Sequence, residues 1–190
     1  MINLLYEKYP TEVIVNSQSY PIYTDFRDWI AFFYMRDNTS ISKEDAILCT
    51  LSWFKDDVPK DTQSGFQALI DFAMCKDLLY KSNYDTSNKS NTKFSKPILS
   101  YLYDSEYILG AFLQVYHIDL NIIDYMHWYK FNALINALPE DTPLKQRMIY
   151  RNTNLCDIKD KAERKRIKKI KQEIAIPTKP MDALQVGSVF

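Results

Sequence analysis

Glycine is scarce in this sequence, with only three glycines among 190 residues. Glycine is the residue that most readily adopts the left-handed backbone of phosphate-binding loops and tight β-turns. A chain with so few glycines has little capacity to form them. The composition therefore argues against a phosphate loop, a dinucleotide-binding fold and an all-β architecture.

The sequence also lacks an excess of either charge. Its 24 Lys and Arg residues balance 24 Asp and Glu residues, so the formal net charge is zero. Proteins that hold the phosphate backbone of nucleic acid usually carry a basic surplus. The overall charge therefore gives no indication of a nucleic-acid-binding protein.

Paired cysteines and long apolar runs are absent as well. The three cysteines, Cys49, Cys75 and Cys156, are odd in number and far apart, and the first two lie in helical apolar patterns. We expect Cys49 and Cys75 to be buried thiols in a reducing compartment. The N-terminus has no basic region followed by a long apolar run, and no stretch approaches the length of a membrane span. These features predict a cytosolic protein with no membrane contact.

Aromatic residues are abundant: 14 Tyr, 10 Phe and 3 Trp. Aromatic side chains bury large areas, and tyrosine is also enriched on surfaces that bind other proteins. We therefore expect an aromatic-rich core and a partner-binding surface.

The N-terminal half begins with a predicted β-hairpin and continues with helices. Residues 12–23, EVIVNSQSYPIY, alternate in polarity around a polar NSQS turn, and Pro21 would confine the second strand to an edge or a bulge. Thr24 is predicted to cap the first helix, and Ser42 with Asp45 resembles a capping box at the start of the second. The third helix starts near Thr62 and ends near Tyr80. Residues predicted to be buried in the second and third helices and just after are Ile47, Leu48, Leu51, Phe54, Phe66, Leu69, Ile70, Ala73 and Met74.

The middle of the chain changes composition. Twelve of the fifteen residues from 82 to 96 are Ser, Asn, Thr or Lys, too polar to offset the entropy of ordering by burial. This predicts a mobile linker, and a plain surface loop is the alternative.

We predict a mainly α fold, α+β at most, of about six helices with a small N-terminal β-hairpin. Its predicted divisions are 1–80 (hairpin and three helices), 81–97 (polar linker or loop), 98–176 (helical part) and 177–190 (disordered tail).

In the C-terminal half, a predicted helix over 102–116 is followed by His117, at a position where helices often end in a left-handed residue. Two amphipathic helices then form a hairpin with a turn at Leu138-Pro139. Asp141 or Thr142 would cap the second of them, with Pro143 in its first turn. The face predicted to be buried in the first holds Trp128, Phe131, Ile135 and Leu138.

Catalytic and metal sites have little support. Asp124 and His127 would lie three residues apart on a helix, as in half of a diiron site, but the second half of such a site is not visible. A capping or surface pair is the simpler interpretation. His117 with Asp119 could orient a proton, but no nucleophile motif accompanies them. We expect a non-enzymatic protein with no catalytic residue, cofactor or metal, and keep a metal enzyme using Asp124 and His127 as one hypothesis.

The last predicted helix, 157–175, is strongly basic. It holds eight Lys and Arg against four Asp and Glu, a net charge of +4, with a thin apolar stripe of Ile158, Ala162, Ile167, Ile170 and Ile174. A solvated helix face or a protein partner explains it better than nucleic acid, because no aromatics interleave the basic residues. The predicted partner-binding residues are Arg164, Lys165, Arg166, Ile167, Lys168, Lys169, Ile170, Lys171 and Ile174.

The stretches YDSEYILGAFLQVYHIDL and MHWYKFNALINALPEDTPLKQRMIYR resemble the bacteriophage gene-product-fifteen family, which is grouped with the tail assembly chaperones. The resemblance covers residues 100–151 well, and the hairpin and first helices in outline. His117 stands where the family pattern has glycine, and Tyr129 where it has a second tryptophan. The matching residues, expected to be structural, are Ile118, Asp119, Leu120, His127, Trp128, Lys130, Phe131, Leu138, Pro139, Glu140, Asp141, Thr142, Tyr150 and Arg151.

This resemblance implies a non-enzymatic protein of a tailed phage or prophage, working in the cytoplasm of the bacterial host. Members of this class are thought to bind the tape measure protein before the tail-tube protein polymerises around it. The resemblance implies the tape measure protein as partner, with the major tail protein and self-association as further contacts. In many tailed phages a ribosomal frameshift adds a second, longer form. The alternative is a nucleic-acid-binding accessory phage protein that uses Lys165, Arg166, Lys168, Lys169 and Lys171.

Overall fold

The structure, a computed structural model, describes residues 5–36, 42–77 and 97–177. The strands are β1 (Glu12–Val15) and β2 (Gln18–Pro21), and the α-helices are α1 (Phe26–Arg36), α2 (Lys43–Thr50), α3 (Thr62–Ala73), α4 (Ser105–Ala111), α5 (Trp128–Ala137), α6 (Pro143–Asn152) and α7 (Lys161–Glu173). Short 3₁₀ turns occupy Leu51–Trp53 and Leu155–Asp157, and a π-helical turn, Phe112–Tyr116, continues α4. The predicted mainly α fold with a small N-terminal hairpin is confirmed, with seven α-helices among these residues.

The backbone contacts divide the chain into two units, and the division is discontinuous in sequence. Of the described residues, the first unit holds 5–36, 42–77 and 124–134, and the second holds 97–123 and 135–177. The predicted linker and tail lie almost entirely outside the described residues. Within those residues, no helix is both long enough and apolar enough to cross a membrane.

The hairpin of the first unit closes through a two-residue turn. Val15 pairs with Gln18, and the intervening Asn16 and Ser17 have φ angles of 50° and 66°. Positive φ at both positions makes this a type I′ turn, which suits the right-handed twist of paired strands. Alternate residues point inward, so the buried side chains of the hairpin are Val13, Val15 and Tyr20.

The core of the first unit is aromatic. The Trp29 ring lies 4.7 Å from Phe72 and 6.4 Å from Trp128, centroid to centroid, and all three side chains are buried. Their polar edges are satisfied, since Trp29 Nε1 donates to Tyr23 O and Trp128 Nε1 donates to Ala73 O. This is the arrangement that makes buried tryptophan favourable.

Residues 124–134 join this core through backbone pairing with the start of α1. Phe26 N donates to Met126 O at 2.9 Å, and Trp128 N donates to Thr24 O at 2.8 Å. Asp25 caps α1 through a hydrogen bond from Arg27 N at 3.0 Å, so the prediction that Thr24 caps this helix is wrong. The Thr24 hydroxyl instead hydrogen-bonds the Tyr125 hydroxyl at 2.8 Å.

Two helices of the first unit differ from the prediction in the residues that they bury, and one of them is also shorter than predicted. Ser42 caps α2 as predicted, but α2 ends at Thr50 and a 3₁₀ turn follows. Leu48 and Cys49 lie within α2 on its exposed side, against prediction, whereas Thr50 is buried. α3 ends at Ala73, with Cys75 in the left-handed conformation (φ 51°). Met74 is therefore exposed rather than buried, and none of the three cysteines forms a disulfide.

In the second unit, the left-handed helix end predicted at His117 is confirmed, with φ of 55°. His117 N donates to Leu113 O and Ile118 N donates to Phe112 O, which completes the hydrogen bonding of the helix end. Thr142 caps α6, and Pro143 is its first residue, as predicted. α7 begins at Lys161 rather than 157, because the Asp160 carboxylate caps it by accepting from Ala162 N and Glu163 N.

Candidate partner-binding surface

The centre of the second unit is an ion pair between Asp104 and Arg151. The Asp104 side chain, just before α4, is fully buried, and the Arg151 side chain on α6 is 6% exposed. Arg151 Nη1 and Nη2 donate to the two carboxylate oxygens at 2.5 and 2.9 Å. Burial alone would raise the pKa of Asp104, but hydrogen bonds from Arg151 and from Ser100 N hold that pKa below its usual value. The carboxylate therefore stays ionised inside the unit.

Arg151 also joins two further segments of the second unit. Its Nη1 donates to Ile98 O at 3.0 Å, and its Nε donates to Ile174 O at 2.8 Å. Arg147, one turn earlier, adds a 3.2 Å hydrogen bond to Asp104 and lies over the Tyr107 ring at 4.2 Å. A guanidinium can make these bonds together because it presents five donors in a fixed plane.

α7 packs on the second unit through the inner side of its apolar stripe. Lys171 Nζ donates to Arg151 O at 2.9 Å and to Thr153 O at 2.5 Å, which ties α7 to the end of α6. Ala162, predicted to belong to the apolar stripe, is exposed because it lies on the opposite side of the helix. The buried or half-buried members of the stripe are Ile158, Ile167, Ile170 and Ile174.

The nine predicted partner-binding residues separate into two groups. Six are engaged within the second unit: Arg164, Arg166, Ile167, Ile170, Lys171 and Ile174. Arg164 donates to Ile158 O, and Arg166 forms a two-bond pair with Glu163 at 2.7 and 2.8 Å. The hydrogen bond from Arg166 holds the pKa of Glu163 below its usual value. The remaining three, Lys165, Lys168 and Lys169, are exposed, and Lys169 Nζ lies 3.8 Å from Glu173 Oε1.

Two residues predicted for different roles come together in one groove. Arg151, from the family motif, and Lys171, from the basic helix, line a cavity of about 410 Å³ with Ile98 and residues 152–155. Their side-chain donors already bind carbonyls and the Asp104 carboxylate. The groove is therefore held open by internal hydrogen bonds rather than lined by available charges.

The metal hypothesis for Asp124 and His127 is wrong in its geometry. Both residues precede α5, so they do not share a helix face. His127 is buried: its Nε2 donates to Pro10 O at 2.9 Å, and its Nδ1 accepts from Tyr129 N at 3.0 Å. This second bond makes His127 the N-terminal cap of α5, and burial lowers the pKa of its imidazole. Among the described residues, no three His, Cys, Asp or Glu side chains are grouped to hold a metal.

The family-motif residues are mostly structural in their contacts. Asp119 accepts from Asn121 N at 2.9 Å, and Thr142 Oγ1 donates to Pro139 O at 2.7 Å. Ile118 and Tyr150 are half-buried, and the exposed members are Lys130, Pro139, Glu140 and Asp141. The buried members are Leu120, His127, Trp128, Phe131, Leu138 and Thr142.

The residue that sequence reasoning missed is Asp104. Its local signal was an aspartate directly before the Ser-Glu start of a helical pattern, which is typical of a helix cap. Its partners Arg147 and Arg151 lie one turn apart on a predicted helix, but nothing local links them to a residue more than forty positions away.

The match to a known protein family covers almost all of the described chain. The family model with the description Bacteriophage Gp15 protein matches residues 5–176, which includes both units. No curated protein and no solved structure matches the chain. The resemblance first seen in residues 100–151 is confirmed and extends through the N-terminal hairpin and helices. The chain belongs to the bacteriophage Gp15 protein family.

Proposed function

We propose that this phage protein is a non-enzymatic tail assembly chaperone, or a closely related tail morphogenesis factor, that binds the tape measure protein in the bacterial cytoplasm. The observation that carries the proposal is the family match over residues 5–176. The proposal assigns no catalytic residue, cofactor or metal. The major tail protein and a second copy of the chain are its further partners.

Exposed apolar side chains support a client-binding role. Leu5, Ile14 and Leu48 of the first unit are 90%, 72% and 61% exposed, and Ile122 of the second is 77% exposed. Burying a side chain of this size contributes about 1.5–3 kcal/mol, while association and ordering costs offset much of the gain. Contacts of this kind would give an affinity that the tail-tube protein can overcome when it takes this chain's place on the client.

The nucleic-acid alternative loses support from the pairing within α7. Arg164 and Arg166 have their guanidinium groups bound to Ile158 O and Glu163, and Lys171 binds two backbone carbonyls. Arginine is the side chain best suited to hold phosphate in a two-bond contact. Both of these arginines would have to give up their present partners before they could hold a phosphate.

Co-expression with the tape measure protein of the same phage genome tests the proposal. We expect the fraction of tape measure protein in the soluble lysate to rise, and the two proteins to purify together. An unrelated phage protein of similar size is the control. If the client stays insoluble and no complex is recovered, the proposal fails.

The gene order gives an independent test. We expect a major tail protein gene upstream, a long tape measure gene downstream, and a slippery site near the 3′ end of this gene. A position among replication genes, together with duplex binding that weakens with salt, would favour the nucleic-acid alternative instead.

A further inference from the structure

We propose that three lysines on the outer face of α7, the lysine stripe Lys161, Lys165 and Lys168, bind an acidic helical segment of the client. The inference rests on the proposed function and names the chemistry of the contact. The three residues are spaced four and three apart, so they follow one line along the helix. All three are exposed, on the side opposite the buried Ile167.

The stripe has no counter-charge of its own. From Asp160 to the end of α7, each acidic residue is engaged elsewhere: Asp160 caps the helix, Glu163 pairs with Arg166, and Glu173 lies 3.8 Å from Lys169. Among the described residues, no ion pair involves the three lysines of the stripe. Like charges three and four residues apart repel each other on a helix. An acidic partner would remove this repulsion on binding.

The linear spacing of the lysine stripe indicates the shape of the partner that it binds. A straight line of charges on a rigid helix matches a second helix with Glu or Asp at spacings of three and four. The described helices of a second copy of this chain cannot supply such an acidic face. None of α1 to α7 carries acidic residues at i, i+4 and i+7. Since the described helices of a second copy offer no such face, the client is the partner that this inference assigns to the stripe.

Two other polyanions fit less well. A membrane-bound basic helix needs an apolar face to insert into lipid, and the apolar face of α7 is packed against the second unit. Nucleic acid would draw on arginines, and Arg164 and Arg166 are engaged within the unit. Lysine alone supplies a non-directional positive charge, which suits the carboxylates of a helix in a releasable contact.

The test compares the full chain with the triple variant K161E/K165E/K168E, using the tape measure protein as the binding partner. All three positions are exposed, so we expect the variant to fold, and circular dichroism checks this. We expect the variant to bind at least about tenfold more weakly than the native chain. Raising the salt concentration should weaken binding by the native chain and change the variant little.

Two control variants separate the stripe from general charge effects. K8E/K55E/K60E makes the same charge change at exposed positions of the first unit, and E163Q/R166Q removes an ion pair from α7 without altering its net charge. Both should bind the client as the native chain does. Equal loss of binding in K8E/K55E/K60E would overturn the inference, because net charge would then explain the effect.

A synthetic helix supplies a defined probe. A peptide with Glu at i, i+4 and i+7 should bind the native chain more tightly than a peptide with the same residues scrambled, and more tightly than a DNA duplex. The matching peptide with Lys in place of Glu should bind K161E/K165E/K168E instead. Preference for the duplex, or undiminished client binding by the triple variant, would overturn the inference. If the native chain itself fails to bind the client, the proposed function fails and the peptide result alone decides the inference.

Discussion

The Arg151 guanidinium binds both carboxylate oxygens of Asp104, 47 residues earlier in the chain, inside the second unit. The same guanidinium donates to Ile98 O and Ile174 O, so one side chain connects the segment before α4, helix α6 and the end of α7. A residue from the family motif therefore fixes the position of the basic helix. Loss of Arg151 should therefore remove the ion pair and also weaken the packing of α7 on the rest of the second unit.

Replacing Arg151 with methionine leaves the Asp104 carboxylate buried without its main partner. A buried charge that loses its partner typically costs about 3–5 kcal/mol of stability, and we expect that loss in the second unit. Urea unfolding followed by far-UV circular dichroism measures it. All three tryptophans lie in the first unit, so tryptophan fluorescence serves as the internal control and should change little.

Two further variants check the cause of that loss. R147M removes a longer bond from a more exposed side chain, so it should cost less than R151M. D104N/R151M should be more stable than R151M alone, because the unpaired charge is gone. A cost for R151M no larger than that of R147M would contradict the account.

The stability of the first unit should depend on the charge of His127. Burial lowers the pKa of His127 in the folded chain, so the unfolded chain takes up a proton first as the pH falls. The free energy of unfolding should be constant above about pH 7 and should decline below about pH 6.5, the usual histidine pKa. Protonation would also abolish the acceptor that caps Tyr129 N. Tryptophan fluorescence in urea, between pH 8 and pH 5, measures this.

The other histidine provides the matched control for this pH dependence. H127Q should remove the decline between pH 7 and pH 5, whereas H117N should keep it, because His117 lies in the second unit. A decline that persists unchanged in H127Q would assign the effect to other groups.

Replacing His117 with glycine should stabilise the second unit. His117 has φ of 55°, a conformation that costs a residue with a side chain about 1 kcal/mol more than it costs glycine. We expect a gain of about 0.5–1 kcal/mol in urea unfolding followed by circular dichroism. H117A keeps the strain and should show no such gain. Equal effects of the two variants would mean that the left-handed backbone is not the cause.

Two helical glycines should respond oppositely to alanine. A Cβ added at the exposed Gly110 meets no atom within 4 Å, so G110A should gain about 0.5–1 kcal/mol from helix propensity. A Cβ at Gly65 would lie 3.2 Å from Pro59 Cγ, so crowding should cancel that gain in G65A. Thermal unfolding of the two variants tests the difference, and an equal gain in both would contradict it.

The local features of the fold could be predicted because their causes are local. Alternating polarity around NSQS predicted the hairpin, and helical spacing predicted the buried face of Trp128, Phe131, Ile135 and Leu138. The left-handed His117 followed from its place after a helical pattern. The errors had two causes. Leu48 lies inside α2 but on its exposed side, and the apolar period carried Met74 past the end of α3 into an exposed position.

The discontinuous arrangement of the units could not be predicted from the sequence. Residues 124–134 join the first unit through hydrogen bonds such as Thr24 to Tyr125, whose partners are 101 positions apart. Backbone pairing between distant segments leaves no periodic signal. The basic residues of α7 were predicted together as one candidate surface. Which of them bind neighbouring groups and which stay exposed depends on side-chain geometry, which cannot be predicted from composition.

The central claim, that this chain binds the tape measure protein, is tested most directly by the mass of the complex purified after co-expression. Size-exclusion chromatography with light scattering should show both proteins in one soluble peak, and added tail-tube protein should release the chain from its client. Tape measure protein that is recovered only as aggregate, or that elutes apart from this chain, would contradict the account.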